Sequence, residues 1–232
     1  RRPGGRRLQL AGFGDLDRDT HADLVWQDQK TGALSAWIMN GTKALRTVSV
    51  TGVVLPTPST GGRGRQRRTA WQLRGVVDLN GDGHNDLLWH HPQGGDLYVS
   101  FMSGTGAVGG AALSPGRFAD VAWQLRGVSD FNGDGHADLL WHHQGTGDLF
   151  VWFMNRTTAT GAAYLNPSRF ADVRWQVARV ADFNDDGKPD ILWRHEASGD
   201  LYVWYMNGTT ATGGGYLTPS RAAAPAWKVA PR

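Results

Sequence analysis

The chain has 232 residues, a formal net charge of +3, 32 Gly, 11 Trp and no Cys, which excludes a disulfide scaffold, a thiolate zinc site and a cysteine nucleophile. No apolar run approaches the roughly 18 residues that span a bilayer, so a globular chain with no membrane span is expected. Basic residues gather at Arg1, Arg2, Arg6 and Arg7 and at Arg63, Arg65, Arg67 and Arg68, among glycines and without interleaved aromatics. This pattern reads as solvated loops, and no nucleic-acid partner is expected.

In chain order, residues 1–7 read as a flexible basic segment, and the start at Arg1 without an apolar signal stretch reads as a mature or truncated chain. A first repeat, LQLAGFGDLDRDTHADLVWQD, opens at Leu8. Three closer copies follow: WQLRGVVDLNGDGHNDLLWHH from Trp71, WQLRGVSDFNGDGHADLLWHH from Trp123 and WQVARVADFNDDGKPDILWRH from Trp175. Trp71, Trp123, Trp175 and Trp227 are each 52 residues apart, while an insertion of 11 residues, assigned to Thr60–Thr69, separates the first two copies. The repeats span 8–70, 71–122, 123–174 and 175–226, with the first strand of a further unit at 227–232.

Inside each repeat the runs WQLRGVV, DLLWHH and DLFVWFM are short, rich in β-branched and aromatic residues, and bounded by Gly, Asn and Asp, as strands are. A weaker fourth strand falls at Thr157–Leu165 and Thr209–Leu217, after a turn such as Asn40-Gly41 or Asn207-Gly208 that suits positive φ. Four antiparallel strands in about 50 residues describe a propeller blade. The expected fold is all-β: a β-propeller of four blades that closes alone, with further blades, or with a second copy as a homo-oligomer.

Of 21 acidic residues, 14 sit in the four loops between first and second strands. In the third loop Asp130, Asn132, Asp134 and Asp138 occupy positions one, three, five and nine, and Gly135 at position six permits a sharp bend. Calcium takes six to eight oxygens, and such a loop supplies alternate side chains plus the carbonyl of position seven, here His136. Crowded carboxylates repel one another unless a cation is present. Asx turns at strand ends would use the same residues, but the recurrence in register favours calcium. The absence of Glu at position twelve, and the strand that follows, exclude an EF-hand.

The segments Asp78–Trp89, Asp130–Trp141 and Asp182–Trp193 resemble the calcium-binding FG-GAP or VCBS-type repeats of secreted bacterial proteins, integrin α-subunit propellers and some propeller lectins. Of the Phe-Gly-Gly-Ala-Pro signature only Phe13-Gly14 remains. The resemblance implies calcium ligands at Asp78, Asn80, Asp82 and Asp86; at Asp130, Asn132, Asp134 and Asp138; and at Asp182, Asn184, Asp186 and Asp190. Backbone carbonyls come from His84, His136 and Lys188. The first loop offers Asp15, Asp17, Asp19 and Asp23 with the carbonyl of His21, and is expected to bind more weakly because Thr20 stands where the bend favours glycine. Up to four structural Ca²⁺ ions would replace the missing disulfides, and their weak extracellular-type sites point to secretion.

His90-His91 and His142-His143 are adjacent on strands, so each pair points to opposite faces and cannot chelate one metal. No nucleophile elbow, zinc-helix or phosphate-loop motif is present. The tryptophans form three registers, of which 71, 123, 175, 227 and 26, 89, 141, 193 are read as blade-to-blade packing. The third register, Trp37, Trp152 and Trp204, is interrupted by Ser100; these rings are expected to be partly exposed and, with His142 or Asp148, to form a sugar platform. Asn40-Gly-Thr42, Asn155-Arg-Thr157 and Asn207-Gly-Thr209 match an N-glycosylation acceptor but recur with the repeat, which a shared turn explains. The expected function is extracellular recognition without catalysis, with a glycan as ligand; the alternative is an attachment domain that binds an extracellular protein.

Overall fold

A computed structural model describes residues 8–28, 30–58 and 71–221. It contains sixteen strands and no helix among the described residues. The segments expected at 1–7, at 60–69 and at 227–232 lie outside the described residues.

The first blade comprises β1 (Leu8–Gly14), β2 (Asp23–Asp28), β3 (Leu34–Asn40) and β4 (Lys43–Ser49). The second comprises β5 (Gln72–Val77), β6 (Asp86–His91), β7 (Asp96–Ser103) and β8 (Gly106–Arg117). The third holds β9 (Trp123–Ser129), β10 (Asp138–His143), β11 (Leu149–Asn155) and β12 (Thr158–Tyr164). The fourth holds β13 (Trp175–Ala181), β14 (Asp190–His195), β15 (Leu201–Asn207) and β16 (Thr210–Tyr216). Each blade is an antiparallel meander in chain order. This is the architecture of propeller blades. A bulge recurs at the same place in each first strand, at Leu10/Gly12 and Leu73/Gly75 and at Val177/Arg179, with its counterpart at Leu140/Trp141 in the third blade. The same extra residue thus bends every first strand.

The chain divides into two compact units, Arg1–Ala119 and Asp120–Arg232, each with two blades. In the first unit Val25, Ala36 and Ile38 of blade one pack against Trp71, Leu73, Leu87 and Trp89 of blade two. In the second, Leu140, Leu149 and Val151 of blade three pack against Val177, Ile191, Trp193 and Trp204 of blade four. A single blade cannot bury both faces, so its core is the interface with a neighbour, which is the reason for the repeat. First strands approach closely there: a Cβ on Gly14 would lie 2.7 Å from Val76 Cγ1, and one on Gly127 would collide with Val180.

Hairpin geometry also overrides residue preference in the turns. Gly41, Gly104 and Gly208 take positive φ at the tips between third and fourth strands, but Arg156 takes φ 57° at the equivalent place. The three Asn-x-Thr triplets sit at these tips with Asn40, Asn155 and Asn207 exposed, as a shared hairpin turn requires.

Gly127→Val should overpack the contact between β9 and β13 and cost roughly 1–3 kcal/mol. Urea unfolding at neutral pH reads the loss, which would be negligible if the first strands were not held face to face.

Candidate metal centres

The four acidic loops fold alike. At position one, the carboxylates of Asp78 and Asp130 each take three backbone N–H groups, those of Gly81, Asp82 and Gly83 and those of Gly133, Asp134 and Gly135. Asp15 does the same with Arg18, Asp19 and Thr20, and Asp182 with Asn184, Asp186 and Gly187. Asn80, Asn132 and Asn184 at position three accept the N–H of position five and donate back to its carboxylate. Asp19, Asp82, Asp134 and Asp186 at position five accept the N–H of His21, His84, His136 and Lys188. These Asx-type bonds curl the backbone and hold the carboxylates together in one small volume.

The curl needs positive φ at positions four and six. Gly81, Gly133, Gly83, Gly135 and Gly187 supply it without strain, whereas Arg18 (66°), Thr20 (72°) and Asp185 (59°) adopt it against their preference. The strain anticipated at Thr20 is therefore present, and the first loop keeps the shared shape in spite of it.

The first loop also carries a metal-like arrangement. Ligand oxygens of Asp15, Asp17 and Asp19 all lie within 4.8 Å of one another. Ligands on opposite sides of a calcium ion at 2.3–2.6 Å stand about 5 Å apart, so the separation fits that cation. Asp17 Oδ2 is bound by Arg46 Nη2 at 3.2 Å, but Asp17 Oδ1 is buried with no hydrogen-bond partner. Burial, then the neighbouring Asp19, Asp23 and Asp15 charges, push the Asp17 carboxyl above its ordinary value, opposed only by Arg46. A cation would satisfy the bare oxygen and relieve the repulsion.

Position nine has a second role that the spacing did not reveal. Asp23, Asp86, Asp138 and Asp190 are fully buried. One oxygen of each accepts the N–H of Leu16, Leu79, Phe131 or Phe183 in its own loop, and the other that of Met39, Met102, Met154 or Met206 on the third strand. Burial first, and then the loop carboxylates Asp82 and Asp78, push Asp86 up to about 6; Asp138 is raised by the same causes. In contrast, the Asn amide and the backbone N–H of His84 or His136 hold Asp82 and Asp134 below the usual range.

Neighbouring loops lie side by side within each unit. Asn85 Nδ2 donates to the Asp15 carbonyl at 2.8 Å in the first. In the second, a polar cleft of about 390 Å³ is lined by Asp130, Asn132, Asp182, Lys188 and Asn207.

The expectation of partly exposed rings in the third tryptophan register is corrected at Trp152 and Trp204. Trp152 and Trp204 are buried, each 7% exposed, and Trp37 is half-buried. They pack on Trp141, Trp193 and Trp26 with centroids 4.8–4.9 Å apart. In blade two Ser100 fills that place and accepts the Trp89 indole N–H. His142 is 1% exposed, edge-on to Trp193 at 5.7 Å, with no hydrogen-bond partner at Nε2. None of these three buried side chains offers a surface to a sugar. Phe170, from the segment that precedes blade four, lies against Trp204 with ring centroids 4.6 Å apart. His143 points the other way, against Trp123 and Asp120, so adjacent histidines do diverge.

The FG-GAP-like repeat family matches residues 78–141 and 130–193, each stretch running from one acidic loop to the second-strand tryptophan of the next blade. Together the matches cover half of the chain, and the chain belongs to this family. Among curated proteins none matches it.

Two outcomes are expected. Asp138→Ala strands two buried N–H groups and should cost roughly 3 kcal/mol even in chelator, whereas Asp134→Ala should cost under about 1 kcal/mol in chelator and more in calcium. Paired urea titrations separate the two roles. Burial first, and then the Arg126 and His143 charges, hold His142 down at about 4 against an ordinary 6.5. The neutral ring's contribution is thus complete above about pH 6.5 and lost as pH falls through 4, a change of about 3 kcal/mol. His142→Gln should flatten the stability slope between pH 7 and 4, measured against the parent chain by urea unfolding.

Proposed function

We propose that the chain is a calcium-stabilised recognition module that works outside the cell without catalysis. The observation that carries this reading is the first loop, where three carboxylates converge and a buried Asp17 oxygen lacks any partner. The other loops repeat its backbone path with Asn80, Asn132 or Asn184 at the third position, a mixed oxygen set that suits a hard cation. Asp15, Asp17 and Asp19 and their equivalents would hold the ion; calcium supplies positive charge that fixes the loops, and no reaction step is assigned to it. Sites of this kind fill at millimolar calcium, the concentration found outside cells.

The absence of catalysis is inferred from symmetry: the same groups recur at equivalent places, whereas catalysis assembles one asymmetric set. The ligand we favour is a glycan, because repeated polar and aromatic groups on a rigid scaffold suit several weak, avidity-linked contacts.

Calcium at 2 mM should raise the melting temperature by several degrees over chelator, since a site with a dissociation constant of about 10⁻⁴–10⁻³ M adds roughly 0.6–1.8 kcal/mol at that concentration and several sites act together. Magnesium should do much less. Equal melting temperatures in calcium and in chelator would refute the metal assignment.

A further inference from the structure

Among the described residues, two tyrosines stand out as large exposed rings at equivalent places: Tyr164, 57% exposed, and Tyr216, 61% exposed. Each closes a fourth strand opposite an aromatic partner in the third, Tyr164 over Phe150 at 4.8 Å and Tyr216 over Tyr202 at 4.9 Å, both edge-to-face. Trp123 and Trp175 support these pairs at 6.3–6.4 Å. The tyrosine side chains are thus steadied from one side and open on the other.

Asp148 stands immediately before β11, two residues from Phe150, and Asp200 immediately before β15, two residues from Tyr202. The Asp148 carboxylate takes the Thr146 hydroxyl at 2.6 Å and the Arg169 guanidinium at 3.4 Å. Blade four repeats the arrangement with Ser198 at 2.6 Å and Arg221 at 3.4 Å on Asp200. At the end of the third strand where each open ring is paired there is therefore a hydroxyl, a carboxylate and a guanidinium, the charges of the last two opposed. Such a set offers donors and acceptors together, which matches vicinal hydroxyls on a neutral ligand rather than a phosphate or an acidic peptide. Blade two keeps Asp96 opposite Arg117 but has Ala112 at the tyrosine place, so it lacks the platform.

Strand direction separates this chemistry from the metal loops. First and third strands enter at the tyrosine end, while Asp130–Asp138 and the Asn155 turn lie at the other end of the blade. Resting on the glycan-binding reading above, we propose that Tyr164 with Asp148 and Arg169, and Tyr216 with Asp200 and Arg221, are two equivalent saccharide sites. In each, the pyranose ring stacks on the tyrosine and its hydroxyls meet the Asp–Arg pair.

The experiment is a printed array of mono- to hexasaccharides probed with labelled full chain in 2 mM calcium. The parent should bind a subset. Tyr164→Ala or Tyr216→Ala alone should lower apparent affinity on a dense spot on the order of 100-fold. The double alanine variant should bind nothing while keeping its calcium-dependent melting temperature, and the double phenylalanine variant should retain binding. Glycan binding that survives both alanines overturns these sites and leaves the glycan reading standing. So does loss of binding in the phenylalanine pair, since the ring face would then not be the platform. A calcium-stabilised parent that binds no glycan overturns both.

Discussion

The buried carboxylate at the foot of each acidic loop ties together parts of a blade that its sheet alone would not register. Asp23, Asp86, Asp138 and Asp190 join the loop that enters the second strand to a methionine N–H on the third. A desolvated carboxylate with both oxygens bonded is stabilising only while both donors stay in place. The loop, the second strand and the turn into the fourth strand are therefore set by one side chain. The same charge lies close enough to the loop carboxylates that they raise Asp86. Fold and candidate metal site are thus coupled through electrostatics, and a cation at the loop would ease the cost of burying that charge.

Blades three and four divide their labour along their length. One end concentrates carboxylates and strained turns, where backbone N–H groups and Asn amides keep the acid groups together. The other presents aromatic rings beside neutralised ion pairs such as Asp148–Arg169 and Asp200–Arg221. Between these ends, buried indoles such as Trp89 and Trp193 fill the cores shared by neighbouring blades.

Much of this was legible in the residues. The 52-residue spacing gave the blades, alternating strands gave their class, and Asp-x-Asn-x-Asp-Gly gave loops that curl as expected, with even the strain at Thr20 present at φ 72°. The aromatic reading fared differently. Trp152, Trp204 and His142 looked like an exposed platform, and all three are buried. A strand pattern reveals which residues share a face, but not whether that face meets water or another blade. The tyrosines in AAYLNPSR and GGYLTPSR repeat at 52 residues too, a signal present in the text but outweighed by the more numerous tryptophans.

What the sequence alone determined was local and periodic: the strand meander, the acidic loops, the absence of thiol chemistry and the need for neighbouring blades to bury the indoles. These follow from side-chain spacing and chemistry within a single repeat. The tertiary structure decided which copies of a repeated residue are accessible and why position nine is buried. Those outcomes depend on contacts between segments distant in sequence, and their packing energy exceeds the small conformational preferences that a repeat expresses by itself.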